Sequence, residues 1–367
     1  MKKHCSITLF FVCTILIIFT RGCVKAEDID SAQMEDISFE QMVEHANKSA
    51  VTIVVRSDEG PDVIMNRNVL GNVRSHGSGV IVTEDGYVVT SYHVVDKYSS
   101  ESGEKIETFA IIMHDNEVLT ARLAGVYERY DLAVLKIQET RDFTFSAIGD
   151  SDMLSLGESV ITIGTPHGLG FMNTVQKGII SSLDRRGVRL NNGIPGDAML
   201  QIDIPIADGS SGSAVFNMKG QVVGIVRGTL RNERWLATAV ISNLVTPMIH
   251  KLQIHEELTQ DREVYFIEHP CLGVEGRAVS VLIREGQHPS RTGFRIRALK
   301  DNSAAYDAGL REDDIITKVD DITLDREDLI FLLAYNGYSA GDIVNVTVYR
   351  SLTGEYLEFE VELGSFQ

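Results

Sequence analysis

From Ala50 to about Val240 the chain is a succession of short β-rich runs broken by Gly, Asn and Asp, with little helical periodicity. Runs of this kind, punctuated by turn residues, build all-β barrels or sandwiches. Three places along it hold residue types that can carry chemistry. Pro205 to Phe216 reads PIADGSSGSAVF and frames Ser211 with Gly209 and Gly212, ahead of an apolar strand. Glycines there let amide N–H groups converge on one point while the serine hydroxyl stands clear of the backbone. Gly86 to Val95, GYVVTSYHVV, delivers His93 at the end of a β-rich run. Tyr130 to Ile137, YDLAVLKI, sets Asp131 immediately before an apolar strand.

Taken singly, each is an ordinary residue: a loop serine, a strand-end histidine, a turn aspartate. Together they are what nucleophilic catalysis needs. A serine requires a base to take its proton and an acid to hold the imidazole in one tautomer. Their order in the chain, His93, Asp131, Ser211, is the chymotrypsin order.

Longer segments carry a resemblance. HGSGVIVTEDGYVVTSYHVVD (76–96), ARLAGVYERYDLAVLKI (121–137), IGDSDMLSLGESVITIGTPHGLG (148–170) and ADGSSGSAVFNMKGQVVGI (207–225) are similar to HtrA/Deg-type serine proteases of the chymotrypsin class. The resemblance runs from about residue 38 to the C-terminus. It implies a mainly β fold, a chymotrypsin-like double β-barrel of two six-stranded barrels with the triad in the cleft between them. It implies an oxyanion hole from the backbone N–H groups of Gly209 and Ser211. It also implies that Gly224 to Gly228, with Ile225, Val226 and Arg227, pairs with the substrate backbone as an added strand.

The N-terminus reads as an address. Lys2 and Lys3 precede an uncharged, mostly apolar run from Cys5 to Thr20, and Val24-Lys25-Ala26 offers small residues for a signal peptidase. Residues 1–26 are predicted as a secretory signal peptide whose core is short for a membrane span. An uncleaved anchor and lipidation at Cys23 are the alternatives, the last disfavoured by Arg21 and Thr20 in the place of a lipobox. Export places the protein in the periplasm or another extracytoplasmic compartment. Removing the four basic residues Lys2, Lys3, Arg21 and Lys25 from 34 leaves 30 against 52 acids, a net charge of −22. Such acidity disfavours nucleic acid and anionic membrane as partners. Only Cys271 of the four cysteines then remains, so the core rather than a disulfide must hold the fold. The ten histidines are scattered and none has the spacing of a zinc helix, so neither metal nor cofactor is predicted.

The domain layout follows. Residues 27–37 are acidic and predicted to be mobile. Ser38 to Gln41 opens a short helix with a capping box, and the protease domain spans 38–250. Ile241 to Leu258 is more helical and ends in the charged stretch HEELTQDRE, and residues 251–264 form the linker. Residues 265–367 resemble one α+β PDZ domain, carried by SAAYDAGL (303–310), Gly341-Asp342 before a strand, and a helix starting at Asp325. Near its end Leu357, Phe359, Val361 and Leu363 alternate with Glu358, Glu360 and Glu362. The resemblance implies that Leu272, Gly273 and Val274, after Cys271, receive a peptide's terminal carboxylate. Leu329 and Leu333, one helical turn apart, are candidates for its side-chain pocket, with plain core packing as the alternative.

The sequence departs from the family pattern at four places. Ser213 stands where glycine is common. Asp208 stands beside the oxyanion turn where proline is usual. The segment Trp235 to Ile241 replaces the usual pocket wall. Asp313 and Asp321 take positions where glycine is frequent, which aspartate tolerates through its ease in the left-handed region. The reading is a serine endopeptidase of protein quality control and stress response, acting on unfolded proteins, with a homotrimer implied through Phe39 and Met42. The alternative is a non-catalytic or latent peptide-binding chaperone that keeps the fold.

Overall fold

The computed structural model describes residues 38–57, 63–65, 68–96, 109–183, 188–189, 195–196, 199–230, 233–259, 264–266, 269–281, 291–300, 302–324, 329, 333 and 336–366. The predicted signal peptide, the acidic segment 27–37 and the helix start at Asp325 lie outside them. Ser38 caps α1 (Phe39–Ser49) with the predicted capping box. Its hydroxyl accepts from Gln41 N at 3.3 Å, and Gln41 Oε1 accepts from Ser38 N at 2.9 Å. Met42 and Ala46, one turn apart, bury that helix on the core.

The first six-stranded ring comprises β1 (Ala50–Ser57), β2 (Asn68–Ile81), β3 (Tyr87–Ser91), β4 (Phe109–Ile112), β5 (Val118–Tyr127) and β6 (Leu132–Ile137). Its order is β1-β4-β5-β6-β3-β2, closed by antiparallel pairing of β2 with β1. The second comprises β7 (Ser159–Gly164), β8 (Thr174–Ser182), β9 (Met199–Ile202), β10 (Ala214–Asn217), β11 (Val222–Leu230) and β12 (Glu233–Ile241). Its order is β9-β12-β11-β10-β7-β8, closed by β8 on β9. The two rings have the same connectivity. This is the predicted chymotrypsin-like double barrel.

The apolar runs have a clear physical reason. Successive strand side chains point to opposite faces. On β6, Leu132 and Val134 enter the core shared with the second barrel, while Ala133, Leu135 and Ile137 fill the first barrel. On β3, Tyr87 and Val89 go one way and Val88 the other. Strands that serve two cores are apolar on both faces over most of their length, with Thr90, Ser91 and Lys136 as the polar exceptions here. Each fully buried Leu or Ile contributes about 1.5–3 kcal/mol.

The segment read as helical is α3 (Val245–Thr259), which takes in residues 251–259 of the linker, and Leu252 is buried in the shared core. In its charged stretch Glu256 finds two donors on the first barrel: the Tyr87 hydroxyl at 2.7 Å and the Arg122 guanidinium. Tyr265–Phe266 then pairs in parallel with Gly125–Val126 of β5, so the predicted start of the C-terminal domain still lies on the first barrel.

The C-terminal sheet begins at β13 (Val274–Val281) and continues through β14 (Arg291–Leu299), β15 (Asp314–Val319), β16 (Ile343–Arg350) and β17 (Glu355–Glu362), antiparallel in that order. The SAAYDAGL segment is α4 (Ala304–Ala308), capped by the Ser303 hydroxyl at Tyr306 N and ended by Gly309 at φ 94°. Val361 and its inward neighbours pack on that unit's core while Glu358, Glu360 and Glu362 are exposed. Asp313 takes the left-handed region at φ 67°, as its glycine-like position suggests. At the next turn it is Asp320 (φ 48°) rather than Asp321 that does so.

Candidate active site

Asp131 ends a single 3-10 turn, Glu128–Tyr130, and adopts the left-handed region at φ 57°. The turn is held by Tyr127 against Tyr130, ring centroids 4.9 Å apart and edge to face. Its C=O accepts from Tyr92 N at 2.8 Å, which ties it to α2 (Tyr92–Val95) at the end of β3. On that short helix the His93 amide donates to Asp131 Oδ1 at 2.8 Å, and His93 Nδ1 meets Oδ2 at 2.7 Å. The aspartate is fully buried, whereas the histidine side chain is 30% exposed. A buried carboxylate on Nδ1 places the proton there and leaves Nε2 as the base, the arrangement general-base catalysis uses.

Ser211 lies between β9 and β10. Its carbonyl accepts from Ser78 N at 2.9 Å. Gly212 N donates to Val226 O at 2.8 Å, and the same carbonyl accepts from the Ser91 hydroxyl, two residues before His93, at 2.9 Å. A side chain at Gly212 would strike Ser78 O and Thr90 Oγ1, and its φ is 83°. Only glycine allows the turn to sit this close to β2 and β3. Among the described residues no hydrogen bond joins Ser211 to His93; catalytic contacts of that kind commonly tighten only with substrate bound.

The amides of the turn divide into two sets. Those of Ser210, Gly212 and Ser213 donate to Ala207, Val226 and Ser210 carbonyls. Those of Gly209 and Ser211 donate to no acceptor among the described residues. The Asp208 carbonyl accepts from His167 N at 2.8 Å, and the Gly209 carbonyl accepts from the Ser78 hydroxyl at 2.8 Å. In a trans peptide the N–H points opposite to the C=O. Tying the Asp208 carbonyl to His167 therefore turns the Gly209 N–H away from that side.

Ser213 is accommodated because it packs against Gly164, where a Cβ would collide with its hydroxyl. Ile225, Val226 and Arg227 have side chains buried to 3% exposure or less. Ile225 pairs with Ala214 on one side and Val240 on the other, and the Val226 amide donates to Ser213 O while its carbonyl accepts from Gly212 N and the Ser91 hydroxyl, so of the predicted substrate-pairing run these two residues are already paired within the barrel. Leu272, Leu329 and Leu333 are buried in the C-terminal core, and Gly273 takes φ 71° against Ser303. Val274 pairs with Leu299. Among the described residues no cluster of three His, Cys, Asp or Glu side chains could hold a metal ion.

The sequence reading missed Ser78 and His76. Ser78 is fully buried and joins the turn to β2 through its amide and its hydroxyl, which also accepts from Thr165 N at 3.0 Å. Nothing in HGSG distinguishes that serine before folding brings residue 209 to it. His76 packs against Gly209 with Nε2 buried and, among the described residues, unbonded. Burial pushes its imidazole below the usual value, opposed by the nearby Thr165 backbone and by the Asp208 charge.

Comparison with known proteins agrees with this geometry. The model of a trypsin-like peptidase domain matches residues 77–225. A "Serine protease Do-like HtrA" of Lactococcus lactis subsp. lactis is 30% identical over 294 residues, covering 75% of this chain and 68% of that protein. This chain belongs to the HtrA family of serine proteases. A second HtrA relative, a "Probable periplasmic serine endoprotease DegP-like" of Rhizobium meliloti, is 32% identical over 293 residues, 78% of this chain and 53% of that protein. The chain spans about half the length of the DegP-like relatives it matches. Among solved structures, the serine endoprotease from Yersinia pestis (23% identity, TM-score 0.61) covers 90% of this chain and 99% of its own. The HtrA-type protease AlgW with decapeptide (22%, 0.62) has the same coverage. Both share the fold.

Proposed function

We propose that this HtrA-family chain is a serine endopeptidase that hydrolyses unfolded or damaged proteins through an acyl-enzyme. Ser211 attacks the peptide carbonyl. His93 takes its proton and returns it to the leaving amine, while Asp131 orients His93 and stabilises its charged form. The Gly209 and Ser211 amides receive the developing oxyanion. The substrate aligns as an added strand at the Arg227 bulge, where β11 leaves its register with β12. The reaction needs neither metal nor cofactor. The observation that carries this reading is the pair of unengaged amides beside Ser211, in a turn fastened to the strand end that bears His93.

The compartment is extracytoplasmic, in keeping with the N-terminal segment and with relatives named as periplasmic. The C-terminal unit binds peptide C-termini at Leu272, Gly273 and Val274, with Leu329 and Leu333 beneath as pocket floor or core. The assembly is a homotrimer through α1. A second reading, a latent enzyme or peptide-binding chaperone, draws on the missing Ser211–His93 hydrogen bond.

The test uses the chain and its Ser211→Ala form with unfolded casein, the new termini read by mass spectrometry. Cleavage by the parent alone supports the reading; equal cleavage by both refutes it. If neither cleaves, labelling of Ser211 by a fluorophosphonate selects the latent enzyme, and its absence selects the chaperone. Light scattering reads the trimer.

A further inference from the structure

Arg227 was expected on a substrate-binding strand, and its side chain turns away from that duty. The ladder between β11 and β12 pairs Val226 with Ala239 and then Gly228 with Thr238, so Arg227 is the extra residue of a β-bulge. Bulges re-aim a side chain. This one carries the guanidinium inward until Nε lies 3.3 Å from Asp131 Oδ2, both side chains 1% exposed. The far end reaches β9, where Nη1 donates to Met199 Sδ at 3.7 Å. Oδ2 is the same oxygen that meets His93 Nδ1 at 2.7 Å. One carboxylate oxygen is thus shared between the imidazole and a buried cation.

We propose that Arg227 is a positioning residue of the triad, holding Asp131 beside His93 and offsetting its charge so that His93 remains an available base at mildly acidic pH. This inference rests on the proposed catalytic roles of Ser211, His93 and Asp131.

The argument is electrostatic and geometric. A buried carboxylate alone attracts a proton onto the imidazole it touches, because an opposite charge within a few ångströms favours the charged form. Paired with a guanidinium, the carboxylate presents a nearly neutral neighbour, and its field at the imidazole weakens. The resting base is then less readily blocked by protonation as the pH falls. The same weakening lowers the support given to the imidazolium that forms during attack, so the device favours acid tolerance over peak rate. An arginine suits the role because it stays charged throughout the working range.

The other titratable groups around this pair sit on two elements. On α2 and its C-cap are His93, Tyr92 and Asp96; on the 3-10 turn are Glu128, Arg129 and Tyr130. Asp96, Glu128 and Asp131 all act on Tyr92, whose phenol is pushed up by burial first and by its Asp96 hydrogen bond second. That phenol stays neutral through the acidic range. Asp96 and Glu128 are anions and Arg129 a cation on these two elements, while Arg227 is the cation that lies against Asp131 itself.

The test measures the second-order rate of fluorophosphonate labelling at Ser211 between pH 5 and pH 9 for the parent, Arg227→Gln and Arg227→Lys, with circular dichroism to verify folding. Arg227→Gln should move the acid limb up by about one pH unit. At pH 5.5 its rate should fall about tenfold further below its own plateau than the parent's does. Arg227→Lys should keep the parent's limb within about 0.3 unit, whatever its plateau, because the charge remains. A uniform loss in Arg227→Gln with an unmoved limb would reduce Arg227 to a structural residue and overturn the inference. So would a limb in Arg227→Lys displaced by a full unit, which decides the matter even if Arg227→Gln does not fold. If the parent itself is not labelled at any pH, the catalytic reading falls and this inference with it.

Discussion

Ser78→Ala isolates one hydroxyl between the two barrels. That hydroxyl donates to Gly209 O at 2.8 Å and receives Thr165 N at 3.0 Å, in a fully buried position. Truncation leaves a buried carbonyl and a buried amide without their partner. Each such orphan costs about 1–3 kcal/mol, so the pair should cost roughly 2–6 kcal/mol. For a double barrel of this size the melting temperature should fall by roughly 4–24 °C. The larger effect is expected in catalysis. Gly209 supplies one proposed oxyanion donor, and full loss of such a donor costs about a hundredfold to a thousandfold in kcat. Loosening its peptide should lower kcat roughly tenfold to a hundredfold with little change in KM, because the contact forms in the transition state. The assay is peptide hydrolysis alongside a thermal melt. Ser49→Ala is the control: Ser49 is equally buried and bonds Ala46 O and Ser146 Oγ, each at 2.8 Å, sharing no partner with the Ser211 turn. It should lower stability and leave kcat unchanged. Parent-like kcat in Ser78→Ala, at the expected loss of stability, would refute the idea that this hydroxyl holds the oxyanion turn.

Two further outcomes follow from the same packing. His76 is held below the usual imidazole value of about 6.5 chiefly by burial. The folded state therefore binds fewer protons than the unfolded one, and stability, intact above about pH 6.5, should fall as the pH drops through the folded value. Urea unfolding at pH 7.5 and 5.5 should show this loss, and His76→Gln should flatten it; an unchanged slope would contradict the assignment. Gly212→Ala places a methyl on Ser78 O and Thr90 Oγ1 at a φ of 83°. It should cost about 2–4 kcal/mol and abolish fluorophosphonate labelling, which a labelling time course would reveal.

Much of this molecule is local and therefore legible in the sequence. The capping box at Ser38, the glycines at 209 and 212, the period-two face of β17 and the strand-end settings of His93 and Asp131 all depend on residues a few positions apart. Short-range sterics and strand periodicity impose them wherever the chain goes. The apolar runs also announced barrels, though not that alternate residues of β3 and β6 would serve two different cores. Other features depend on residues distant in the chain. Ser78 meets Gly209 and Thr165, Arg227 meets Asp131, Glu256 meets Tyr87, and Gly164 makes room for Ser213. The helix of the linker was legible, but not that Glu256 would dock it on the first barrel. In each case a polar or charged group was buried and had to find its complement. The sequence offered His93, Asp131 and Ser211 as a candidate triad; only the closure of both barrels decided what stands behind them.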